Sequence, residues 1–409
     1  MNLQAPVRFN PFSAEFRQDP YPLYRALRET RPVHKTLGMW VLTRHADVRE
    51  VLLDRSFSAG LIPQLVSRQA GDSGDDAERI ERLGRKSLVF TDNPDHARLR
   101  GLVNRVFTAR AVAGLRPLVS AIAERLVRRA WDRGGMDVIT DFAAPLPITV
   151  LCDWMALPGD LREQVGSWTH DIRFLLEPGL MKGEDFARVG AVVKTFSEAL
   201  HEVVRNRERQ PGKDLVSSLL AARTAGGDRL TDEELVFVCI MCFVAGNETT
   251  KSLIGNGTLA FLEHPDQAGR LRSRPDLASG AVDEALRYDS PLQLTKRLAT
   301  RETTIGDKVI REGDQVLLCL GAANRDPAVF AEPDAFDITR STPGHLAFGH
   351  GMHGCLGGLL AQLQATVAFE RLFTHAERLE PLAGPREWQD GSFIVRGLER
   401  LPVAVRSAS

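Results

Sequence analysis

A single cysteine in a glycine-rich stretch is the clearest chemical feature of the sequence. Cys355 stands in FGHGMHGCLGG, residues 348–358, and a helical pattern follows it. The glycines permit positive φ angles and let the backbone approach something flat or large. Amides at the N-terminus of the next helix would point at the sulfur and favour a thiolate, the form of cysteine that binds metals. The stretch indicates such a ligand; a glycine-rich turn with an incidental cysteine is the alternative.

The other cysteines favour ordinary packing. Cys239 and Cys242 form a CxxC, which can mark a redox pair or half of a zinc site. Here the pair lies inside the apolar run LVFVCIMCFVA, residues 235–245, with no second ligand pair at suitable spacing. We interpret both as buried core residues, and Cys152 and Cys319 likewise.

Polar residues interrupt that apolar run at AGNETT, residues 245–250. Glu248 and the hydroxyl of Thr249 need partners or water inside a buried helix. Threonine can also bond back to a carbonyl one turn earlier and bend the helix. The segment is either the polar face of the helix or a groove that holds water for proton delivery.

Charged residues share helix faces elsewhere. Glu284 and Arg287, in DEALR, are three residues apart and can pair, and His96 and Arg100, in HARLR, are four apart. Arg297 adds a cation just before a predicted strand region. Each feature is weak alone, because exposed pairs of this kind contribute little to stability.

The elements that position these residues are predicted to be mostly helices. Thr231 and Glu234 form a capping box that opens a helix running to about residue 263, roughly 45 Å long. Strands are expected at 39–43 and near 303–320, and a mobile surface loop with a helical piece at 68–86. Further helices are predicted near 21–30, 45–54, 112–132, 145–155, 160–176, 184–208, 214–223, 266–272, 276–288 and 356–376.

Composition excludes several classes of protein. With 409 residues, 43% of them hydrophobic, and no linker or repeat, we expect one domain over residues 1–409. The net charge of -1 offers no overall basic field for nucleic acid. The N-terminal segment does not resemble a secretory signal, and the longest apolar run is too short to span a bilayer. We therefore expect a soluble, cytoplasmic monomer with no nucleic-acid or membrane partner.

Together and in this order, the motifs resemble those of a bacterial cytochrome P450. FGHGMHGCLGG, AGNETT, DEALR, HARLR and ANRDP at 323–327 carry the resemblance, which extends over nearly the whole chain. It implies a mainly α protein with the cytochrome P450 fold, a large helical domain with small β-sheets and a long central helix over the haem. The cofactor would be haem b, with Cys355 as the thiolate ligand of its iron, a ligand that favours O–O cleavage.

The resemblance also implies roles for individual positions. Thr249 with Glu248 would relay protons to dioxygen, and Ala245 would leave room for it. Positions that bind the haem are matched by His96, Arg100, Ala245, Arg297 and His353. Glu284 and Arg287 match a buried structural pair, whose third partner would be Arg340 or His350. LAQLQ replaces the family's more usual LARLE, so Gln362 and Gln364 remove charges near the expected redox-partner surface.

The implied activity is that of a monooxygenase that hydroxylates or epoxidises a lipophilic small molecule with O2, in specialised metabolism. Electrons would come from a separate ferredoxin and its reductase, because no flavin or iron–sulfur domain accompanies the chain. Oxidative coupling, cyclisation or desaturation by the same haem is the alternative chemistry, and a haem-binding sensor is the alternative class. The substrate pocket would be lined by Met241, Val244, Ala245, Leu292, Leu294, Phe393 and Ile394, each of which could equally be plain core.

Overall fold

Helices make up most of the chain in the computed structural model, which describes residues 8–60, 74–177, 181–341, 344–374 and 378–406. The mainly α architecture predicted from the sequence is confirmed. In chain order the helices are α1 (Ala14–Gln18), α2 (Tyr21–Thr30), α3 (His45–Leu53), α4 (Gly74–Arg85), α5 (Asp95–Val103), α6 (Ala109–Ala113), α7 (Arg116–Asp132), α8 (Pro145–Trp154), α9 (Gly159–Ile172), α10 (Gly183–Arg209), α11 (Leu215–Ala221), α12 (Asp232–Glu263), α13 (Pro265–Ser273), α14 (Ala278–Tyr288), α15 (Leu320–Ala323) and α16 (Gly358–Phe373).

The long helix α12 is the centre of the packing. Its start is fixed by the predicted capping box, in which the Glu234 amide donates to Thr231 Oγ1 at 3.2 Å and the Thr231 amide donates to Glu234 Oε2 at 2.8 Å. The helix packs against α8, α10, α14 and α16. Among the described residues it is the one helix long and apolar enough to span a membrane, yet 67% of its most apolar window is buried inside the protein. It is therefore the core helix that the sequence predicted.

In the part of the chain that the structure describes, four small sheets complete the fold. The largest has the order β1-β2-β8-β5-β3, with β2 and β8 parallel and the other pairs antiparallel; the others are β4-β12-β9, β6-β7 and β10-β11. The strands are β1 (Val33–Thr36), β2 (Met39–Leu42), β3 (Phe57–Ser58), β4 (Gly135–Asp137), β5 (Leu294–Ala299), β6 (Thr303–Ile305), β7 (Lys308–Ile310), β8 (Gln315–Cys319), β9 (Arg378–Pro381), β10 (Glu387–Trp388), β11 (Leu398–Arg400) and β12 (Pro402–Arg406). The sequence predicted β2 and β6–β8 but not β5 or the strands near the C-terminus.

Helix α4 lies where the sequence predicted a helical piece within residues 68–86. Residues 68–73 of the predicted mobile loop lie outside the described residues, but the part from residue 74 onward forms a helix that packs against α10. Ile80 and Leu83 are fully buried there. The two helices approach closely at Gly190, where an added Cβ would lie 2.5 Å from Asp76 Cβ. The helical piece is therefore confirmed, and a narrow apolar stripe among its many charged residues anchors it to the core.

A fully buried ion pair joins α14 to the segment that follows α15. Arg287 Nε and Nη2 donate to the Glu284 carboxylate at 2.8 and 2.9 Å, and neither side chain has any exposed area. The remaining guanidinium bonds go to the carbonyl oxygens of Asn324, Pro333 and Ala335. Arg340 Nε lies 3.3 Å from Glu284 Oε1, whereas His350 is exposed. Of the two candidates that the sequence left open, Arg340 is therefore the third partner.

Candidate active site

A cavity of about 380 Å³ lies between α12, the N-terminal end of α16 and strand β5. Most of the predicted site residues border it: Arg100, Met241, Ala245, Thr249, Leu292, Leu294, Arg297, His353, Cys355, Phe393 and Ile394. Val244 does not, because its side chain is fully buried in the core on another face of α12. The cavity instead meets Cys242, which the sequence had placed in the core.

The cysteine loop turns its sulfur into this cavity. Gly349 and Gly351 adopt φ angles of 67° and 68°, which side-chain-bearing residues rarely tolerate. Gly351 also passes so close to α3 that an added Cβ would lie 2.7 Å from the Leu52 carbonyl oxygen. The Cys355 amide donates to the Phe348 carbonyl at 2.8 Å and closes the loop. The glycines thus serve the close approach and turning that the sequence predicted.

The electrostatics at the sulfur are mixed. Burial raises the pKa of the Cys355 thiol, while the amides of Gly357 and Gly358 and the cation of Arg100 lower it. The amides at the start of the helix therefore point at the sulfur as expected, but burial raises the pKa of the thiol by more than they lower it. Burial also raises the pKa of Cys152 to about 11 and that of Cys242 to about 12. Those two thiols stay protonated at neutral pH, and only Cys355 has favourable donors that face an open space.

A cationic cluster lies at one edge of the cavity. The ring centroids of His96 and His353 are 4.4 Å apart, and the Nε2 atoms of both are buried without a hydrogen bond. His96 lies behind His353 rather than on the cavity wall. Burial lowers the pKa of Arg297 to about 10, and burial also lowers the pKa of Arg100. Among the described residues, neither guanidinium has a carboxylate within salt-bridge distance, although Asp92 lies close to His353.

Asp92, which the sequence did not single out, lies beside His353 of this cluster and does not border the cavity. Burial would raise the pKa of Asp92, but three neighbours together lower it to about 2: His353, the Ser58 hydroxyl and the Ala59 amide. Its Oδ1 lies 3.5 Å from His353 Nε2, at the outer limit of a hydrogen bond. Its position four residues before His96 was the available signal. The Ser58 hydroxyl and the Ala59 amide donate to this carboxylate, while Arg100 and Arg297 have no carboxylate partner among the described residues.

These residues fit the haem that the sequence resemblance implies. A buried cation or imidazole without a partner is costly, so the cluster calls for a ligand with acidic groups at one edge. The apolar walls call for a large apolar body, and the Cys355 sulfur offers a metal ligand. Porphyrin propionates, macrocycle and iron correspond to these three requirements.

The polar residues of α12 separate into two groups. Thr249 borders the cavity, and its hydroxyl donates to the Ala245 carbonyl at 2.7 Å. Glu248 does not border the cavity; its Oε2 lies 2.6 Å from Lys251 Nζ, and both side chains are mostly buried. Thr249 is therefore the group that can reach a ligand directly, and Glu248 lies behind it.

Further polar residues on the cavity wall were not predicted there, among them Glu177, Lys296 and Gln364. Gln364 is only 2% exposed, so it does not lie on a redox-partner surface as the sequence suggested, and its Oε1 has no hydrogen-bond partner. Gln362 instead donates to Asp283 Oδ1 at 2.7 Å. Nothing in the sequence singled out Glu177 or Lys296, because they come together only through the fold.

Comparison with known proteins gives a consistent result. The family model for cytochrome P450 matches residues 171–386. Cytochrome P450 107B1 of Saccharopolyspora erythraea is 40% identical over 402 residues, which cover 96% of each chain. The vitamin D(3) 25-hydroxylase of Pseudonocardia autotrophica is 37% identical, again over 96% of each chain. The crystal structure of CalO2 superimposes with a TM-score of 0.89 at 34% identity, covering 98% of this chain and 100% of that one.

Proposed function

Because the chain belongs to the cytochrome P450 family and is a haem b-dependent monooxygenase, we propose that it hydroxylates or epoxidises a lipophilic small molecule in specialised metabolism. The observation that carries this proposal is one cavity that combines a cysteine sulfur, an edge with two guanidinium groups that have no carboxylate within salt-bridge distance among the described residues, and apolar walls. When bound, haem b supplies the activation of O2, with two electrons and two protons, so that one oxygen atom enters the substrate and the other leaves as water.

Holding the haem is assigned to the cysteine loop and the cationic cluster. Cys355 would ligate the iron, with the Gly357 and Gly358 amides donating to its sulfur. Arg100, Arg297 and the His353 ring would bind the propionates through charge-assisted hydrogen bonds. His96 would act as a support for His353, since the two rings are in contact.

Proton delivery is assigned to Thr249 and Glu248. The Thr249 hydroxyl, which donates to the Ala245 carbonyl, can rotate and donate into the cavity instead. Glu248, which is paired with Lys251 and does not border the cavity, is the acid that would re-protonate the hydroxyl through water. Ala245 and Gly246 carry little side chain and leave space for dioxygen beside Thr249.

Substrate binding is assigned to the apolar wall of the cavity. Its contributing side chains are Met241, Ala245, Leu292, Leu294, Phe393 and Ile394. Such a wall contacts a lipophilic molecule and excludes water from the reaction. Val244 has no part in this assignment, because it packs in the core.

The remaining assignments concern the whole protein. We propose a single domain, supported by the burial of α12 within the fold, and a cytoplasmic monomer. We also propose a ferredoxin and its reductase as the source of electrons. Product formation from NADPH should then require both proteins, and turnover with NADPH alone would contradict this assignment.

The test of the proposed function is the ferrous carbon monoxide spectrum. The wild type should show the strongly red-shifted Soret band of thiolate-ligated haem, and Cys355→Ser should lose it. Cys242→Ser is the matched control, because this cysteine borders the same cavity but its burial keeps the thiol protonated. A red-shifted band in Cys355→Ser, or its loss in Cys242→Ser, would show that the ligand is not Cys355.

A further inference from the structure

Lys296 is a charged side chain on the wall of the cavity with no counter-ion in contact. It projects from β5, is half-buried and borders the cavity. Its Nζ lies 5.1 Å from the centroid of the Phe393 ring. Among the described residues its ammonium donates no hydrogen bond and has no carboxylate within salt-bridge distance. Three N–H donors therefore face a largely apolar space.

The nearest acid, Glu177, is already satisfied by other groups. It is 7% exposed, and its carboxylate accepts the Ser392 hydroxyl and the amides of Phe393 and Ile394, the latter two at 3.0 and 3.3 Å. Glu177 thus holds the 392–394 turn against the end of the helical turn Arg173–Leu176. It acts on Lys296 only through space, not as a hydrogen-bond partner.

Lys296 serves a different part of the cavity from its neighbour Arg297. Both side chains border the same cavity, so their neighbours decide which part of it each one contacts. Against the effect of burial, the charge of Asp92 raises the pKa of Arg297, whereas the charge of Glu177 raises that of Lys296. The Lys296 ammonium also lies over the Phe393 ring. Arg297 therefore belongs to the cationic cluster, and Lys296 belongs to the wall that is assigned to the substrate.

An ammonium in this position is unfavourable without a partner. Burial lowers the pKa of Lys296, with Glu177 acting in the opposite sense. A cation–π contact with Phe393 compensates only part of the lost hydration. A charged donor that is left without an acceptor is costly, so a ligand that offers an anionic oxygen would bind with a clear preference.

We propose that Lys296 binds a carboxylate on the substrate, so that the preferred substrates are lipophilic acids rather than neutral lipids. This inference rests on the proposed function and names the substrate class of the same site. The carboxylate pairs with the ammonium beside Phe393, and the apolar body extends along Leu292 and Leu294 toward the space above Cys355. Recognition of the head group by Lys296 would thus decide which carbon lies near the reacting oxygen.

The test compares binding of decanoic acid and 1-decanol to the haem-loaded protein at pH 7.5 by isothermal titration calorimetry. The acid should bind about 10- to 100-fold more tightly than the alcohol, the range expected for one hydrogen bond to a charged group. Lys296→Met, of similar length and without charge, should abolish this preference and leave the affinity for the alcohol unchanged. Lys296→Arg should retain most of it.

Glu177→Gln is a second variant, and it should change the affinity for the acid in the opposite direction from Lys296→Met. The amide oxygen can still accept from the 392–394 turn, but the negative charge that competes with a bound carboxylate is gone. The acid should therefore bind more tightly in this variant, while the alcohol is unaffected. An unchanged preference in Lys296→Met, equal binding of acid and alcohol to the wild type, or no binding of either would overturn the inference.

Two outcomes separate this inference from its premise. If Lys296→Met loses haem, Lys296 belongs to the propionate site and the inference is wrong, while the monooxygenase assignment stands. If the carbon monoxide band of the wild type is not that of a thiolate-ligated haem, the proposed function fails. A preference for the acid that depends on Lys296 would still establish the carboxylate site.

Discussion

Replacing Arg287 with alanine tests the buried ion pair that joins α14 to the segment behind it. The guanidinium donates to both oxygens of Glu284 and to the carbonyls of Asn324, Pro333 and Ala335. Without it, a carboxylate with no exposed area loses its bidentate partner. It keeps the Asp337 amide at 2.9 Å and Arg340 at 3.3 Å, so its charge is only partly compensated.

The expected loss of stability is large for a single residue. Removing one member of a buried pair lowers the free energy of unfolding by about 3–5 kcal/mol. An unfolding entropy of about 2.1 cal/mol/K per residue gives about 0.9 kcal/mol/K for a chain of this length. The melting temperature of Arg287→Ala should therefore fall by about 3–6 °C.

Thermal melting followed by circular dichroism measures this shift, and haem content is determined on the same samples. Arg274→Ala is the matched control, because Arg274 pairs with Asp276 at 2.7 Å but both side chains are more than 60% exposed (62% and 63%). It should melt with the wild type. If Arg287→Ala also melts with the wild type and carries a full complement of haem, the pair does not stabilise the fold and the reasoning is refuted.

Three further predictions concern chemistry, the pocket and pH. Thr249→Ala should bind haem and substrate but lower product per NADPH by about tenfold or more, with hydrogen peroxide rising instead, whereas Thr249→Ser retains coupling; equal coupling in both would move the relay elsewhere. Ala245→Phe should abolish the ligand-induced spin shift while the carbon monoxide band persists, and a normal shift would show that the substrate lies elsewhere. Burial would raise the pKa of Asp314, but hydrogen bonds from Lys35, Trp40 and a backbone amide lower it to about 2. Because this pKa is depressed below 3.8, its stabilisation is present above that pH and is lost as the pH falls through about 2. Between pH 4 and pH 2 the free energy of unfolding of Asp314→Asn, measured by urea unfolding, should therefore fall by about 1 kcal/mol less than that of the wild type, after allowance for solvent screening. Parallel curves of stability against pH would contradict the pairing.

Features that depend on short stretches of chain were predictable from the sequence. The capping box at Thr231 and Glu234 requires only a three-residue spacing, and the hydrogen bonds follow from helix geometry. The glycines before Cys355 and the helix after it likewise fix the direction of the local backbone. Glu284 and Arg287 lie one turn apart, so their contact was predicted too, although their complete burial was not.

Features that depend on distant segments were decided by the tertiary structure alone. Strand β5 pairs with β3, and β4 with β12, across long stretches of chain, so their few residues carry little signal of their own. Arg340 rather than His350 reaches Glu284 because of how the segment after α15 folds back over α14.

The substrate side of the cavity shows the same division most clearly. Helical periodicity placed Met241, Val244 and Ala245 near one another, but only packing against α8 and α10 decides which of them faces the cavity and which enters the core. The approach of Glu177 to Lys296 needs the helical turn after α9, strand β5 and the 392–394 turn to meet. The sequence by itself determined the local backbone geometry and the residue types available for chemistry. Only the tertiary structure determined which side chains share the cavity, because a side chain's direction is set locally but its neighbours are set by the packing of whole elements.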